Sequence, residues 1–538
     1  MNVAFDPWIP VVTLEGHPRL ASLLEVLTNG ENILDLAVRP HERVSLMRLF
    51  ICVAHAALNG PKDSTEWEEV PKRLAEAACA YLKKWADSFE LFHPTRPWLQ
   101  VANLHGIDND SEKTSSIALL DSELANGNNS TLFDHTGMAP SRRITLSRTA
   151  LNLLTFQNFS SGGGAPIAQW EKIKTLQVGN PDAPCLSQSM AHCLIRRSNI
   201  KDTVVVNLPT YARIELVYQS FSVANKIDEV FSSIAIGRPV WELFPDSPEY
   251  KDSPSIINAI RTYLGRMVPI SRWIKLIPNT DQMFCCNGFK YDTYKNGFPS
   301  EPTAAVHLVT KRDNKGIKTQ VREIVKINPS RALWRELSSL LTIRSTEGLG
   351  GPLAMANEPE SEDFDFHVCA MTRDQASMDI GIESVFHISA SLRSNLVVYK
   401  NEIENATIGS GRLRRAIETY RATIDRDWNS RVKRTQAKDQ SKLKDRLAQS
   451  AFLIYWTVVE KNLSLLMAHI EAIGTDNTIS TRDAWRTMLF ATACEAYKTV
   501  CGQETPRQVR AFAEGWKWLT TAKQKDNDIE ESNSEEDE

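Results

Sequence analysis

No stretch of this sequence approaches 18 consecutive apolar residues, and the opening MNVAFDPWIPVV has neither the basic start nor the apolar run of a secretory leader. A cytoplasmic protein with no membrane association is the expectation. Cysteine pairs are missing as well. The nine cysteines, at 52, 79, 185, 193, 285, 286, 369, 494 and 501, form no CxxC and no regular framework, which argues against a disulfide scaffold and against a zinc knuckle. No metal and no other cofactor is expected. Catalytic signatures are equally scarce: there is no G-x-x-x-x-G-K-[ST], no H-E-x-x-H, no G-x-S-x-G and no G-x-G-x-x-G, and GLGGPL at 348 to 353 misses the last by one position. The eleven histidines are dispersed. Cys52 and His55 lie three apart in an apolar helical pattern that offers no third ligand, and so read as core. His192 and Cys193 are adjacent and would point apart on a helix. These absences favour a chain that is not an enzyme.

What is present is ordinary globular material in quantity: 538 residues, 42% hydrophobic and 24% charged, enough for two or more domains. The formal charge is −4, but the last 13 residues, DNDIEESNSEEDE, hold eight acids and no base, so the first 525 residues carry about +4. Residues 1–385 mix extended runs (IPVV, AVHLVTK) with helical patterns (SLMRLFICVAHAAL, STEWEEVPKRLAEAACAYLKKWADSF), interrupted often by Pro and Gly. This reads as an α+β domain. After Ser384 prolines become rare, and four helical patterns can be cut at 387–424, 437–472, 480–501 and 505–522, with Ser480 or Thr481 as a cap for the third. The fold expected is therefore α+β: a large mixed N-terminal domain over 1–385, an antiparallel four-helix bundle over 386–523, and a disordered acidic tail over 524–538.

Two features ask for a function. Gly162, Gly163 and Gly164 follow a helical pattern in FQNFSSGGGAP, and three glycines in a row fit a flexible turn, a phosphate cradle or a loop pressed against a surface too narrow for a Cβ. No Lys-Ser or Lys-Thr follows them, which weakens the cradle. The DNA minor groove, about 6 Å wide, is one such narrow surface. Residues 421–446 carry nine Lys or Arg against four Asp, either a surface that tracks phosphates or a solvated helix with a chance excess.

The segments AFDPWIPVV, HPTRPWLQ, NNSTLFDHT, LLTFQNFSSGGG, IRRSNIKDTVVVNL, RALWREL and RDQAS, in this order and at these separations over nearly the whole chain, resemble the large-subunit (CasA) family of type I-E Cascade, the CRISPR RNA-guided surveillance complex of bacteria. The resemblance implies a non-catalytic subunit that reads the protospacer-adjacent motif (PAM) of foreign double-stranded DNA, starts its opening and recruits a nuclease-helicase, while guide pairing reads the sequence. It implies that Gly162, Gly163 and Gly164 are the glycine loop in the minor groove beside the motif. Lys290 is then the minor-groove lysine, with Lys295 as the alternative, and Gln375 is the strand-separating wedge, with Asp374 beside it. The resemblance also makes Thr131, Leu132, Phe133, Asp134 and His135 the loop that docks on the CRISPR RNA and other Cascade subunits. Arg431, Lys433, Arg434, Lys442 and Lys444 would guide the displaced strand. RDQAS also reads as a helix N-cap with its first turn. Other classes stay open: a scaffold subunit of a ribonucleoprotein that leaves DNA to its partners, and a stand-alone enzyme with a divergent site.

Overall fold

The computed structural model describes residues 1–106, 114–121, 144–163, 168–171, 173–174, 182–225, 235–245, 253–291, 301–312, 318–328, 331–345, 348–374, 377–426 and 437–534; for 219–225, 312, 373–374, 377–380, 426, 437–444 and 521–534 it describes the backbone alone. The chain divides into two compact units, Met1–Ser389 and Ala390–Glu538.

In the first unit, β1 (Ile9–Thr13) pairs antiparallel with β2 (Pro18–Ala21) on one side and β3 (Ile33–Leu36) on the other, aligning Ile9 with Ala21 and Val11 with both Arg19 and Leu36. Alternation puts Ile9 and Val11 into the core. Helix α1 (Leu23–Asn29) is capped by the Ser22 hydroxyl, which accepts from Glu25 N at 3.1 Å. Helix α2 (Pro40–Leu58) is buried nearly all round, its polar residues Glu42, Arg43, Ser45, Arg48 and His55 included. Pro40 opens it, the Glu42 carboxylate accepts from the Arg39 backbone N–H at 2.9 Å, and Asn59 ends it in the left-handed region at φ 48°. Helix α3 (Ser64–Lys84) starts on the Asp63 carboxylate and buries Val70, Leu74, Ala78, Tyr81 and Leu82, one stripe at helical spacing.

One charge cluster crosses this core. Arg48 of α2, fully buried, donates to Met267 O at 3.0 Å and to the Glu301 carboxylate at 2.9 Å, and Arg266 reaches the other oxygen of that carboxylate at 2.6 Å. Burial alone would raise the Glu301 carboxyl; Arg266 and Arg48 instead hold it down to about 2.

Further along lie α4 (Leu146–Phe159), β4 (His192–Arg196), β5 (Arg272–Leu276), β6 (Gln282–Asn287), β7 (Val306–Arg312), β8 (Lys318–Ile324), β9 (Phe364–Asp374) and β10 (Ser377–Ile388). Strands β5 and β6 pair, β7 and β8 form a two-stranded ribbon, and β10, β9 and β4 make a sheet in that order. His192 and Cys193 thus sit on a strand, not a helix, and both are buried. The His192 Nε2–H donates to Cys185 O at 2.9 Å, which leaves Nδ1 to accept from the Thr303 hydroxyl at 2.8 Å. RDQAS is not a helix start either. Arg373 and Asp374 end β9, Ser377 begins β10, and Asp374 pairs with Ser377 in register.

The second unit is helical: α5 (Leu396–Arg426), α6 (Ala437–Lys461), α7 (Leu463–Ala472), α8 (Thr478–Val500) and α9 (Pro506–Ser534) follow a short turn of helix at Ala390–Ser394. The pattern expected over 437–472 is broken at Asn462 into α6 and α7. Helix α8 begins at Thr478, ahead of Ser480 and Thr481, the caps expected from the sequence; their hydroxyls instead donate back to Asn477 O at 3.0 and 2.8 Å from inside the first turn. Helix α9 continues through residues 524–534 of the acidic tail, which the charge run predicts to be without structure. Tyr455 and Trp485 are fully buried, the Tyr455 hydroxyl donating to Ala406 O at 2.8 Å. No single helix among the described residues is long and apolar enough to cross a membrane.

Candidate nucleic-acid interface

Helix α4 delivers the glycines. Its N-terminus is capped by Thr145, which accepts from Arg148 N at 3.2 Å, and its other end is built around a buried amide. Gln157 donates through Nε2 to Leu99 O at 3.2 Å and to Arg272 O at 2.8 Å, and accepts from Arg272 N at 2.9 Å, so one side chain stitches the helix end to the start of β5. The Ser271 hydroxyl adds a bond to Gln157 O at 2.7 Å. The helix stops at Ser160, whose backbone is extended (φ −60°, ψ 135°).

From Ser160 to Gly162 each residue's backbone is held by a hydrogen bond. Ser160 O accepts from Ala183 N at 2.9 Å, Ser161 O from the Arg272 guanidinium at 2.9 Å, and Gly162 N–H donates to the Asp182 carboxylate at 2.7 Å. Arg272 is buried, and burial pushes its guanidinium down to about 10, still charged at neutral pH. Gly163 is exposed at φ +155°, and a Cβ built on it would meet none of the described residues within 4 Å. No described neighbour therefore calls for the missing side chain there, although the positive φ itself favours glycine. Gly164 lies outside the described residues.

Lys290 hangs from the same frame. A Cβ on Gly288 would come within 2.5 Å of the Ser271 carbonyl, so only glycine lets the chain cross there. Phe289 is buried edge-on to Trp273 with centroids 5.5 Å apart, and the buried Tyr291 hydroxyl accepts from Ile270 N at 2.8 Å. Between these two anchors Lys290 is exposed. The glycine loop and Lys290 thus share one support, Ile270 to Trp273. Lys295 lies outside the described residues.

The other expected site residues are placed less completely. Thr131, Leu132, Phe133, Asp134 and His135 lie outside the described residues, but the chain on either side of them is tied down: Asp121 accepts from Arg39 at 2.8 Å and from Arg148 at 3.0 Å, while Glu42 accepts from Arg148 at 2.8 Å. Burial opposes the Asp121 charge, and Arg39 and Arg148 hold its carboxyl below the usual range. Gln375 is outside too, and Asp374 is described by its backbone alone. Arg431, Lys433 and Arg434 are likewise outside, whereas Lys442 and Lys444 are placed on the backbone of α6. Among the described residues no group of three or more His, Cys, Asp or Glu gathers to hold a metal ion. The bracing residues Gln157, Asp182, Ser271, Arg272 and Gly288 were not singled out in the sequence; the one signal for them is Gln157, a polar residue inside the apolar run LLTFQNF.

The comparisons with known proteins agree with one another. The model of the family described as CRISPR-associated protein Cse1 matches residues 2–496. The curated CRISPR-associated protein CasA/Cse1 of Thermus thermophilus is 25% identical over 526 residues, covering 92% of this chain and 91% of the relative. The crystal structure of Thermus thermophilus CasA superposes with a TM-score of 0.69 at 20% identity, covering 96% of this chain and 98% of that one. Cse1 from Acidimicrobium ferrooxidans gives 0.67 at 16%, covering 96% of each chain. A chain of a structure titled CRISPR RNA-guided surveillance complex gives 0.66 at 16%, covering 96% of this chain and 99% of that one. The chain belongs to the CRISPR-associated Cse1 family, the large subunit, CasA, of type I-E Cascade.

Proposed function

We propose that this chain is the DNA-recognition subunit of a CRISPR RNA-guided complex and that it performs no catalytic step itself. It reads the PAM of foreign duplex DNA from the minor groove with Gly162, Gly163, Gly164 and Lys290. It starts strand separation at Gln375 with Asp374 beside it, and presents the opened target to a nuclease-helicase that it recruits. Residues 131–135 dock it on the CRISPR RNA and the other Cascade subunits. The helices after Ala390 form an antiparallel four-helix bundle whose basic stretch, with Arg431, Lys433, Arg434, Lys442 and Lys444, guides the displaced strand.

The observation that carries the reading is Gly163: exposed, with no described residue within 4 Å of where a side chain would stand, directly after Ser160, Ser161 and Gly162, which are braced by Ala183, Arg272 and Asp182. Backbone amides and carbonyls touch base edges on the floor of a groove about 6 Å wide only where no Cβ intervenes. Bracing matters as much, since a loop ordered only on contact would give up part of its binding energy to that ordering. The Lys290 ammonium suits the acceptors that A·T pairs present on the same floor.

The test is binding of the reconstituted guide-RNA complex, with and without this chain, to duplexes that differ only in a randomised motif beside the target. Sequence preference is expected only when the chain is present, and Gly163→Asp is expected to abolish it while binding to a pre-opened target changes much less. The same preference without the chain would make it a scaffold; equal loss on both substrates would make Gly163→Asp an assembly defect.

A further inference from the structure

The two faces of the β7–β8 ribbon differ in their acidic residues, a feature that neither motif nor resemblance suggested. Register places Leu308 opposite Arg322, Thr310 opposite Gln320 and Arg312 opposite Lys318 on one face; His307 with Glu323, Val309 with Val321 and Lys311 with Thr319 take the other. Leu308, Thr310, Lys318, Gln320 and Arg322 are all exposed, and among the described residues of the two strands no Asp or Glu stands on their face. The opposite face holds Glu323, which pairs with Lys311. An isolated two-stranded ribbon is marginally stable in water. This one is held at its base: Cys193 N donates to Thr303 O at 2.7 Å, Ala191 N to Val325 O at 3.0 Å, Ile327 N to Ser189 O at 2.9 Å, and Val306 and Gly350 exchange both backbone bonds at 2.8 Å.

That base is continuous with the glycine loop. The segment whose Asp182 and Ala183 brace Gly162 and Ser160 runs on through Ser189, Ala191 and Cys193 to the ribbon, so twelve residues, 182–193, hold both. We propose, resting on the DNA-reading function above, that the Lys318–Arg322 face grips the phosphate backbone of the duplex beside the motif, independently of sequence. The chemistry of the face selects this ligand. Lys, Arg, Gln and Thr are the side chains that donate to phosphate oxygens, and a two-stranded ribbon fits along a duplex groove. Lys318 and Arg322 lie about 13 Å apart along the strand, enough to meet separate phosphates. Neither β7 nor β8 contains an aromatic residue, and single strands, RNA included, are held largely by stacking on aromatics.

The test compares assembled complexes carrying Lys318→Ala with Arg322→Ala against wild type, titrated across a salt series on a PAM-bearing duplex and on one with the motif scrambled. Both duplexes are expected to weaken by the same factor, and the slope of log affinity against log salt to fall by about 2, near 0.9 for each lost phosphate contact. Lys311→Ala, on the opposite face, should leave the slope as it is. An unchanged slope in a fully assembled complex overturns the proposal. Loss confined to the PAM-bearing duplex overturns it by making the ribbon part of the motif reader, and failure of the variant to enter the complex overturns it by assigning the ribbon to guide or subunit docking. If wild type shows no motif preference yet the slope still falls in the variant, the PAM reading fails and the ribbon contact stands. If wild type binds no duplex, both fall.

Discussion

A Cβ on Gly288 would lie 2.5 Å from the carbonyl carbon and oxygen of Ser271, whereas one on Gly163 would meet none of the described residues within 4 Å. The two glycines therefore answer to different demands. At Gly288 the demand is internal: backbone crosses backbone, and neither partner is a flexible side chain that can swing aside. Gly288→Ala is expected to destabilise the chain by about 1–3 kcal/mol, the usual cost of overpacking. It should also loosen the anchors of Phe289 and Tyr291 on which Lys290 depends. At Gly163 the strain among the described residues is confined to a backbone angle that side-chain-bearing residues seldom adopt. Urea denaturation of the two alanine variants should show the larger loss at Gly288; equal losses would remove the distinction drawn here between a structural and a ligand-facing glycine.

Among the elements, long periodic helices were legible and the bracing around the glycine loop was not. The run SLMRLFICVAHAAL carries its own helical spacing, and Gly474 and Pro506 mark the breaks around α8 and α9 on the chain itself. The β9–β10 hairpin shows the opposite case. RDQAS looks like a cap because Asp suits a helix start, and only the pairing of residues 364–374 with 377–388 makes Arg373, Asp374 and Ser377 strand residues. Gln157 meets Arg272 across 115 residues, and Gly162 meets Asp182 across 20; local spacing holds no trace of either. The second of these bonds is open to test. Asp182→Ala frees the Gly162 N–H from its carboxylate, and a hydrogen bond to a charged group is worth about 1.5–3 kcal/mol. Discrimination between PAM-bearing and scrambled duplexes is expected to fall at least several-fold, with guide-RNA docking intact, and Asp182→Asn, which keeps an acceptor, to recover most of it. Undiminished discrimination in the alanine variant would show that the loop needs no brace.

At the scale of the whole chain, acid acts unequally on the two units. His55 and His192 are fully buried in the first, and burial pushes each down to about 4 from an ordinary 6.5. Between those values the unfolded chain takes up protons that the folded chain refuses, so stability falls as pH drops from 6.5 to 4, by on the order of 3 kcal/mol per histidine. Glu301, held down to about 2, adds stability that is full above 4.5 and lost as pH falls toward 2. Residues 390–538 contain a single histidine, His469. Hydrogen exchange followed from pH 7 to pH 4 should therefore show protection draining from Met1–Ser389 well before Ala390–Glu538; a parallel decline would count against buried histidine as the cause. The trio of Arg48, Glu301 and Arg266 has a further consequence, one that concerns descent. Any lineage that loses Glu301 first must pass through a chain with two buried guanidiniums and no anion between them, a step that costs about 3–5 kcal/mol. A typical domain has only 5–15 kcal/mol to lose, so these three positions, far apart in the sequence, are heritable as one character.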